Sequence, residues 1–266
     1  MPTVFANGIW KSGNNLLMRV LDLWGIRDLE LGLATSLLVG RHYWMRRVIR
    51  GPRFAADPVP VGLDMGVNVG ARWLRRRLRR AGGRYFTGHA AFSDRLLQIL
   101  RAEGVRPIQI VRDPRDIAVS YAHWIVSRPD FYAHPRLAEL TTQERIQAII
   151  RGWRDRRLHF ESLATVLDRS YGWITRPDDV LVVRFEDLVG SRGGGDAIAQ
   201  NKALTAVASW CGLDPIRIPE VAEHAFGQSK TFRKGEVGGW RSEFSDETAE
   251  LFERVVGPRL AHWGYG

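Results

Sequence analysis

The stretch Phe5-Ala6-Asn7-Gly8-Ile9-Trp10-Lys11-Ser12-Gly13-Asn14-Asn15-Leu16-Leu17 decides the fold. An apolar segment starting at Val4 runs into a short loop holding Lys11, Ser12 and Gly13. Apolar residues then recur at helical spacing at Leu16, Leu17, Val20, Leu21 and Trp24. The order is strand, phosphate-sized loop, helix. The first N–H groups of a helix have no intrahelical partner and sit at the positive end of its dipole, so an anion is favoured there, with Lys11 beside it. Taken alone, the stretch fits an ordinary strand-to-helix turn with a solvated lysine equally well. Its Lys-Ser-Gly order is not the Gly-Lys-Ser/Thr order of a nucleotide-triphosphate loop, and no separate strand offers a carboxylate for magnesium.

Outward from this stretch, 266 residues without repeats or low-complexity tracts suit one large α/β domain, 1–266, with a central parallel sheet flanked by helices. Lys and Arg total 39 against 29 Asp and Glu, and the resulting +10 favours an anionic ligand, a nucleic acid or an acidic membrane. Cys211 is the only cysteine, which excludes an intramolecular disulfide and a cysteine-built metal site and fits a reducing compartment. The N-terminus has no basic-then-apolar signal, and the longest apolar run, 29–40, contains Glu30 and is shorter than the roughly 20 residues of a membrane span. These features predict a soluble, cytoplasmic protein.

Further along, 31–49 reads as a helix carrying Tyr43, Trp44 and Met45 among Arg41, Arg46, Arg47 and Arg50, and 52–70, with Pro52, Pro58 and Pro60, reads as irregular. Residues 71–81 are the most basic segment, with Arg72, Arg75, Arg76, Arg77, Arg79 and Arg80 around Trp73, Leu74 and Leu78 at helical spacing. This is either a solvated helix face or a polyanion-binding surface. A short strand over 84–88 puts His89 just past its end, where open α/β sheets bind ligands.

A second informative stretch, Ile108-Gln109-Ile110-Val111-Arg112-Asp113-Pro114-Arg115-Asp116-Ile117-Ala118-Val119-Ser120-Tyr121, is a buried-type strand ending at Arg112 and a helix with Asp113 as N-cap and Pro114 in the first turn. Arg112 and the Ser120 hydroxyl together would make a phosphate clamp; a structural ion pair for Arg112 is the alternative. Thr141 and Glu144 form a capping-box pattern opening a long helix predicted to run to Leu167. A central strand over 179–185 follows, then the turn Gly193-Gly194-Gly195, a helix over 203–210 and a shorter one within 215–226. The third informative stretch, Arg233-Lys234-Gly235-Glu236-Val237-Gly238-Gly239-Trp240, is a basic, glycine-rich loop able to close over an anion. Ser245 caps the terminal helix.

These three stretches, in this order, resemble the sulfotransferases that use 3′-phosphoadenosine 5′-phosphosulfate (PAPS). Trp10-Lys11-Ser12-Gly13-Asn14-Asn15-Leu16 is similar to their Pro-Lys-Ser-Gly-Thr-Thr-Trp loop, and Arg112 to Tyr121 to their Arg-Asn-Pro-Lys-Asp-x-x-x-Ser-Tyr segment. Arg233 to Trp240 is similar to their Arg-Lys-Gly-x-x-Gly-Asp-Trp loop, and Arg184-Phe185-Glu186-Asp187-Leu188 to their Tyr-Glu-Asp-Leu strand end. The resemblance implies transfer of a sulfuryl group from PAPS to a hydroxyl or amine of a small-molecule acceptor, with PAP as product, no metal and no nucleic-acid partner. It implies that Lys11 and the backbone of Ser12, Gly13, Asn14 and Asn15 hold the 5′-phosphosulfate, and that Arg112, Ser120, Arg233, Lys234 and Gly235 hold the 3′-phosphate. It implies adenine stacking by Phe226, and His89 as base with Lys11 stabilising the leaving phosphate. Asn14 and Asn15 stand for two threonines, Leu16 for an adenine-packing tryptophan, Phe185 for a tyrosine and Gly239 for an aspartate. A P-loop-type small-molecule kinase and a basic nucleic-acid-binding module are the alternatives. Tyr43, Trp44, Trp73, Trp124, Phe131 and Tyr132 are candidates for an acceptor pocket or for core.

Overall fold

Every residue of the first strand, Thr3–Gly8, is buried, and its side chains alternate between two cores. Val4 and Ala6 share one core with Leu17, Val20 and Leu21, while Phe5 stacks on Phe86 in the other, with ring centroids 4.7 Å apart. A strand covered on both faces belongs in the middle of a parallel sheet. It has that place in the computed structural model, which describes residues 1–33, 57–63, 68–156, 158–227 and 236–266.

In chain order, β1 (Thr3–Gly8) leads to α1 (Asn14–Leu23) and β2 (Asp28–Leu33). The hairpin β3 (Pro58–Pro60) and β4 (Asn68–Gly70) precedes α2 (Ala71–Leu78), β5 (Tyr85–Gly88) and α3 (Asp94–Ala102). Then come β6 (Val105–Val111), α4 (Pro114–Val126) and α5 (Thr142–Arg151). The small hairpin β7 (Trp153–Arg154) and β8 (His159–Phe160) leads to α6 (Leu163–Ile174), β9 (Leu181–Arg184) and α7 (Phe185–Leu188). Helices α8 (Ala197–Cys211), α9 (Ile218–His224) and α10 (Asp246–Val255) close the chain's main elements. The main sheet has the order β2-β5-β1-β6-β9 with every pair parallel. All its carboxyl ends therefore open on one edge, and the chain crosses β1 between β5 and β6. Such a reversal of winding is where α/β sheets leave a crevice for ligands.

Several expectations are corrected. Residues 31–33 end a strand rather than open a helix; Leu29, Leu31 and Leu33 alternate with Asp28, Glu30 and Gly32, a period of two that places Leu31 and Leu33 in the core. The rest of the expected helix, 34–49, with Tyr43 and Trp44, lies outside the described residues. Within the segment read as irregular, β3 and β4 pair antiparallel. The helix expected to run from Thr141 to Leu167 stops at Arg151, because Gly152 takes φ +79° and a Cβ there would lie 2.8 Å from the backbone nitrogen of Ser162. The capping box of Thr141 and Glu144 forms as expected, and so does the Asp113 cap with Pro114 in the first turn.

Candidate active site

The loop after β1 is shaped by its own small residues. Ser12 is fully buried, its N–H donates to the Ile9 carbonyl at 3.2 Å and its hydroxyl to the same oxygen at 2.7 Å. Trp10 anchors the other side, stacked on Tyr121 with centroids 4.1 Å apart. Between these anchors Lys11 adopts φ +63°, and just after them Gly13 adopts φ +112°, left-handed backbone of the kind that builds anion-binding loops. The N–H groups of Gly13 and Asn14 have no hydrogen-bond partner among the described residues. Both glycines are needed for this shape. A Cβ on Gly8 would fall 2.4 Å from Ser12 Oγ, and one on Gly13 2.6 Å from the Phe185 ring. The Lys11 ammonium lies 5.8 Å from the centre of the Trp124 ring.

His89 leaves the end of β5 next to this loop. Its Nδ1 donates to the Gly8 carbonyl at 2.7 Å; a carbonyl only accepts, so Nδ1 carries the hydrogen and Nε2 the lone pair. Burial pushes the imidazole below its ordinary 6.5, with the Lys11 charge adding to the shift and the Gly8 hydrogen bond opposing it. Asn14, from the first turn of α1, donates to the Gly88 carbonyl at 2.8 Å and so ties the loop to the His89 strand. Asn7, buried in β1, grips the following residue with two bonds: Ala90 N–H donates to its Oδ1 at 2.9 Å, and its Nδ2 donates to the Ala90 carbonyl at 3.1 Å. The same amide reaches Gln109 Oε1 on β6 at 2.8 Å.

The third wall comes from β6 and β9. Val111 pairs with Arg184, so Arg112 and Phe185 leave adjacent strands together, and the guanidinium sits 4.3 Å from the centre of the Phe185 ring. Arg112 is 9% exposed; it donates to the carbonyls of Lys11 at 3.4 Å and Glu236 at 3.0 Å, and its Nε has no partner. Burial lowers its pKa against the pull of Asp116, whose carboxylate lies 4.0 Å away. Asp116 accepts from the N–H groups of Gly238 at 2.8 Å and Trp240 at 3.0 Å, docking the C-terminal glycine-rich segment on α4. Ser120, one turn further along α4, shares that helix face and is half-buried. Glu186 accepts from Asp113 N–H and from the Tyr265 hydroxyl, each at 2.8 Å, bracing the same corner.

Nearly the whole chain is similar to solved structures of known enzymes. Mouse sulfotransferase SULT7A1 complexed with PAP superposes with a TM-score of 0.60 at 16% identity, over 98% of this chain and 85% of its own. Retinol dehydratase in complex with androsterone and inactive cofactor PAP gives 0.55 at 16% identity, over 97% and 80%. The same enzyme with retinol and PAP gives 0.53 at 16%, over 97% and 81%. This fold is that of the sulfotransferases. No protein-family model matches the sequence, and no curated protein matches it either.

Within the sulfotransferase fold of this chain, Lys11, Gly13, Asn14, His89, Arg112 and Phe185 gather at the carboxyl ends of β1, β5, β6 and β9. Asn15 is exposed in the first turn of α1. Phe226 is half-buried and packs, like Leu16, against the core that holds Val4 and Ala6, and a Cβ on Gly193 would lie 2.6 Å from its ring. Arg233, Lys234 and Gly235 lie outside the described residues. Trp124, Phe131 and Tyr132 join a single aromatic cluster around Tyr121, whereas Trp73 is exposed on α2. The sequence alone assigned no role to Asn7, Asp116, Glu186 or Tyr265. Asn7 and Asp116 carried a signal, a polar residue inside a buried strand and an acid one helical turn beyond Arg112; Tyr265 carried none.

The site fits a phosphate-type anion. It offers unpartnered N–H groups in a left-handed loop and a desolvated arginine whose Nε lacks a partner.

Proposed function

We propose that this chain transfers the sulfuryl group of PAPS to a hydroxyl or amine of a small-molecule acceptor. The observation that carries the reading is the His89 to Gly8 hydrogen bond, which leaves a basic Nε2 beside an anion-holding loop. PAPS, when bound, supplies a sulfuryl group on a phosphate leaving group. Lys11 and the N–H groups of Gly13 and Asn14 hold the 5′-phosphate and take up the negative charge that grows on it as the sulfur–oxygen bond breaks. His89 Nε2 accepts the proton of the acceptor as the new bond to sulfur forms, a role that contributes on the order of 10²–10⁴-fold in rate. Arg112 with Ser120, and Arg233, Lys234 and Gly235 from the loop beyond, hold the 3′-phosphate. Asp116 keeps the Gly238 to Trp240 end of that loop against α4. Leu16, Phe185 and Phe226 supply apolar surface for adenine, without the tryptophan and the tyrosine hydroxyl of the resembling family. Cationic side chains thus meet the donor's charge where a kinase uses magnesium.

The test is calorimetry with PAP followed by incubation with PAPS and a panel of phenols, alcohols, sugars and lipids. Heat on PAP addition and a sulfated product support the reading. No heat, or turnover with ATP and magnesium in place of PAPS, rejects it.

A further inference from the structure

The charge of this protein is not spread evenly. Residues 34–84 hold twelve of its 39 basic residues and two of its 29 acidic ones, which accounts for the entire +10. The described centre of that excess is α2. Its Ala71, Leu74 and Leu78 are buried against the sheet, and Arg72, Trp73, Arg76 and Arg77 are exposed along the opposite arc, with Arg80 exposed in the turn just past its end. From residue 65 to residue 93 there are seven arginines and no carboxylate. Glu103, just past the end of α3, pairs with Arg75 at 3.2 Å and Arg79 at 2.9 Å, while Arg72, Arg76, Arg77 and Arg80 have no ion pair among the described residues. Arg72, Arg75, Arg76, Arg79 and Arg80 line an open depression of about 630 Å³, with Asp57, itself paired to Arg95, at its edge.

Trp73 separates the possible partners. Its indole is 49% exposed, and Arg76 and Arg77 follow it at helical spacings of three and four, so ring and guanidinium groups share one stripe. A purely electrostatic surface has no use for an exposed indole. At a lipid headgroup layer, by contrast, tryptophan settles at the interface while arginines meet phosphates. Binding of single-stranded nucleic acid stacks successive bases on several rings, and Trp73 is the only exposed aromatic side chain among the described residues of 57–93.

We propose that the exposed arc of α2 docks on an anionic phospholipid bilayer, with Trp73 at the headgroup level and Arg72, Arg76, Arg77 and Arg80 on lipid phosphates. The hairpin before α2 links this surface to the cleft: the Ala71 N–H donates to the Asp57 carbonyl at 3.0 Å, and Gly62 bridges to Ala90, the neighbour of His89. Docking does not depend on the sulfuryl-transfer reading, and its test involves no turnover.

The full chain is sedimented with phosphatidylcholine vesicles and with the same vesicles containing phosphatidylglycerol. It pellets only with the second kind, and added salt releases it. Replacing Arg72, Arg76, Arg77 and Arg80 together by Glu weakens this binding by at least about tenfold. The four-residue Gln variant gives a smaller loss in the same direction, and thermal melts show both variants folded. Trp73→Ala weakens vesicle binding severalfold and leaves binding to heparin and duplex DNA unchanged. Failure to pellet with anionic vesicles overturns the proposal. So does vesicle binding that is indifferent to Trp73→Ala and weaker than binding to heparin or DNA, which marks a polyanion surface instead.

Discussion

Nδ1 of His89 donates to the carbonyl oxygen of Gly8 at 2.7 Å, joining the end of β5 to the end of β1. One bond fixes three things: the tautomer of the ring, the direction of Nε2, and the spacing between the imidazole and the loop that carries Lys11. If Nε2 is the base, His89→Ala lowers kcat by about 10²–10⁴-fold while the PAP dissociation constant measured by calorimetry stays within about twofold. Retention of near-normal turnover removes His89 from the mechanism.

The pH profile follows from the same environment. Burial holds the imidazole below 6.5, so its neutral, basic form persists through neutrality. The acidic limb of kcat/KM is expected below pH 6.5 and is absent in His89→Ala. Linkage has a definite sign here. The unfolded chain binds a proton at His89 more readily than the folded one, so this residue's contribution to stability is level above pH 6.5 and declines as pH falls below it. Chemical denaturation of wild type and His89→Ala across that range measures the difference.

Gly13→Ala tests the loop. The residue takes φ +112°, and its new methyl meets the Phe185 ring at 2.6 Å. A loss of about 1–3 kcal/mol is expected from the backbone strain alone. For a chain of this length that lowers the melting midpoint by roughly 2–4 °C per kcal/mol. PAP binding falls with it, because the backbone carrying the Gly13 and Asn14 N–H groups is displaced.

Asp116→Ala deprives the Gly238 and Trp240 N–H groups of their acceptor and Arg112 of its nearby carboxylate. The expected cost is about 1–3 kcal/mol in unfolding free energy. PAP affinity drops about tenfold or more, since the basic loop loses its mooring on α4. An unchanged PAP titration separates Asp116 from the 3′-phosphate site.

Asn7→Leu leaves the Ala90 N–H without its side-chain acceptor and Gln109 Oε1 without its donor, while the Ala90 carbonyl keeps the Trp173 Nε1 bond at 2.9 Å. Each buried group left unsatisfied costs about 1–3 kcal/mol. A displacement of the neighbouring His89 by even 1 Å lowers kcat by about a hundredfold, with PAP affinity little affected. Denaturation and steady-state kinetics on the same preparation distinguish the two effects.

The features legible in the chain alone are local. Asp113 and Pro114 specify a helix start through their own backbone and side chain, as do Thr141 and Glu144, and the apolar spacing after Gly13 specifies α1. Motif order brought out His89, Arg112 and Phe185 because each directly follows a strand, and Lys11 because it sits in the loop between β1 and α1. The break at Gly152 escaped it, since apolar periodicity on both sides is continuous and the deciding contacts come from Phe160 and Ser162. Tertiary structure alone decided which strand ends are neighbours: the order β2-β5-β1-β6-β9 puts Gly8 within hydrogen-bond reach of His89 and Arg112 against Phe185. It also decided that Asn7 holds Ala90, that Asp116 holds Gly238 and Trp240, and that Tyr265 reaches Glu186 across 79 residues. Periodicity and capping act over a turn or two of chain, whereas a tautomer, a desolvated guanidinium or a docked loop is set by groups far apart in sequence, which only the folded sheet brings together.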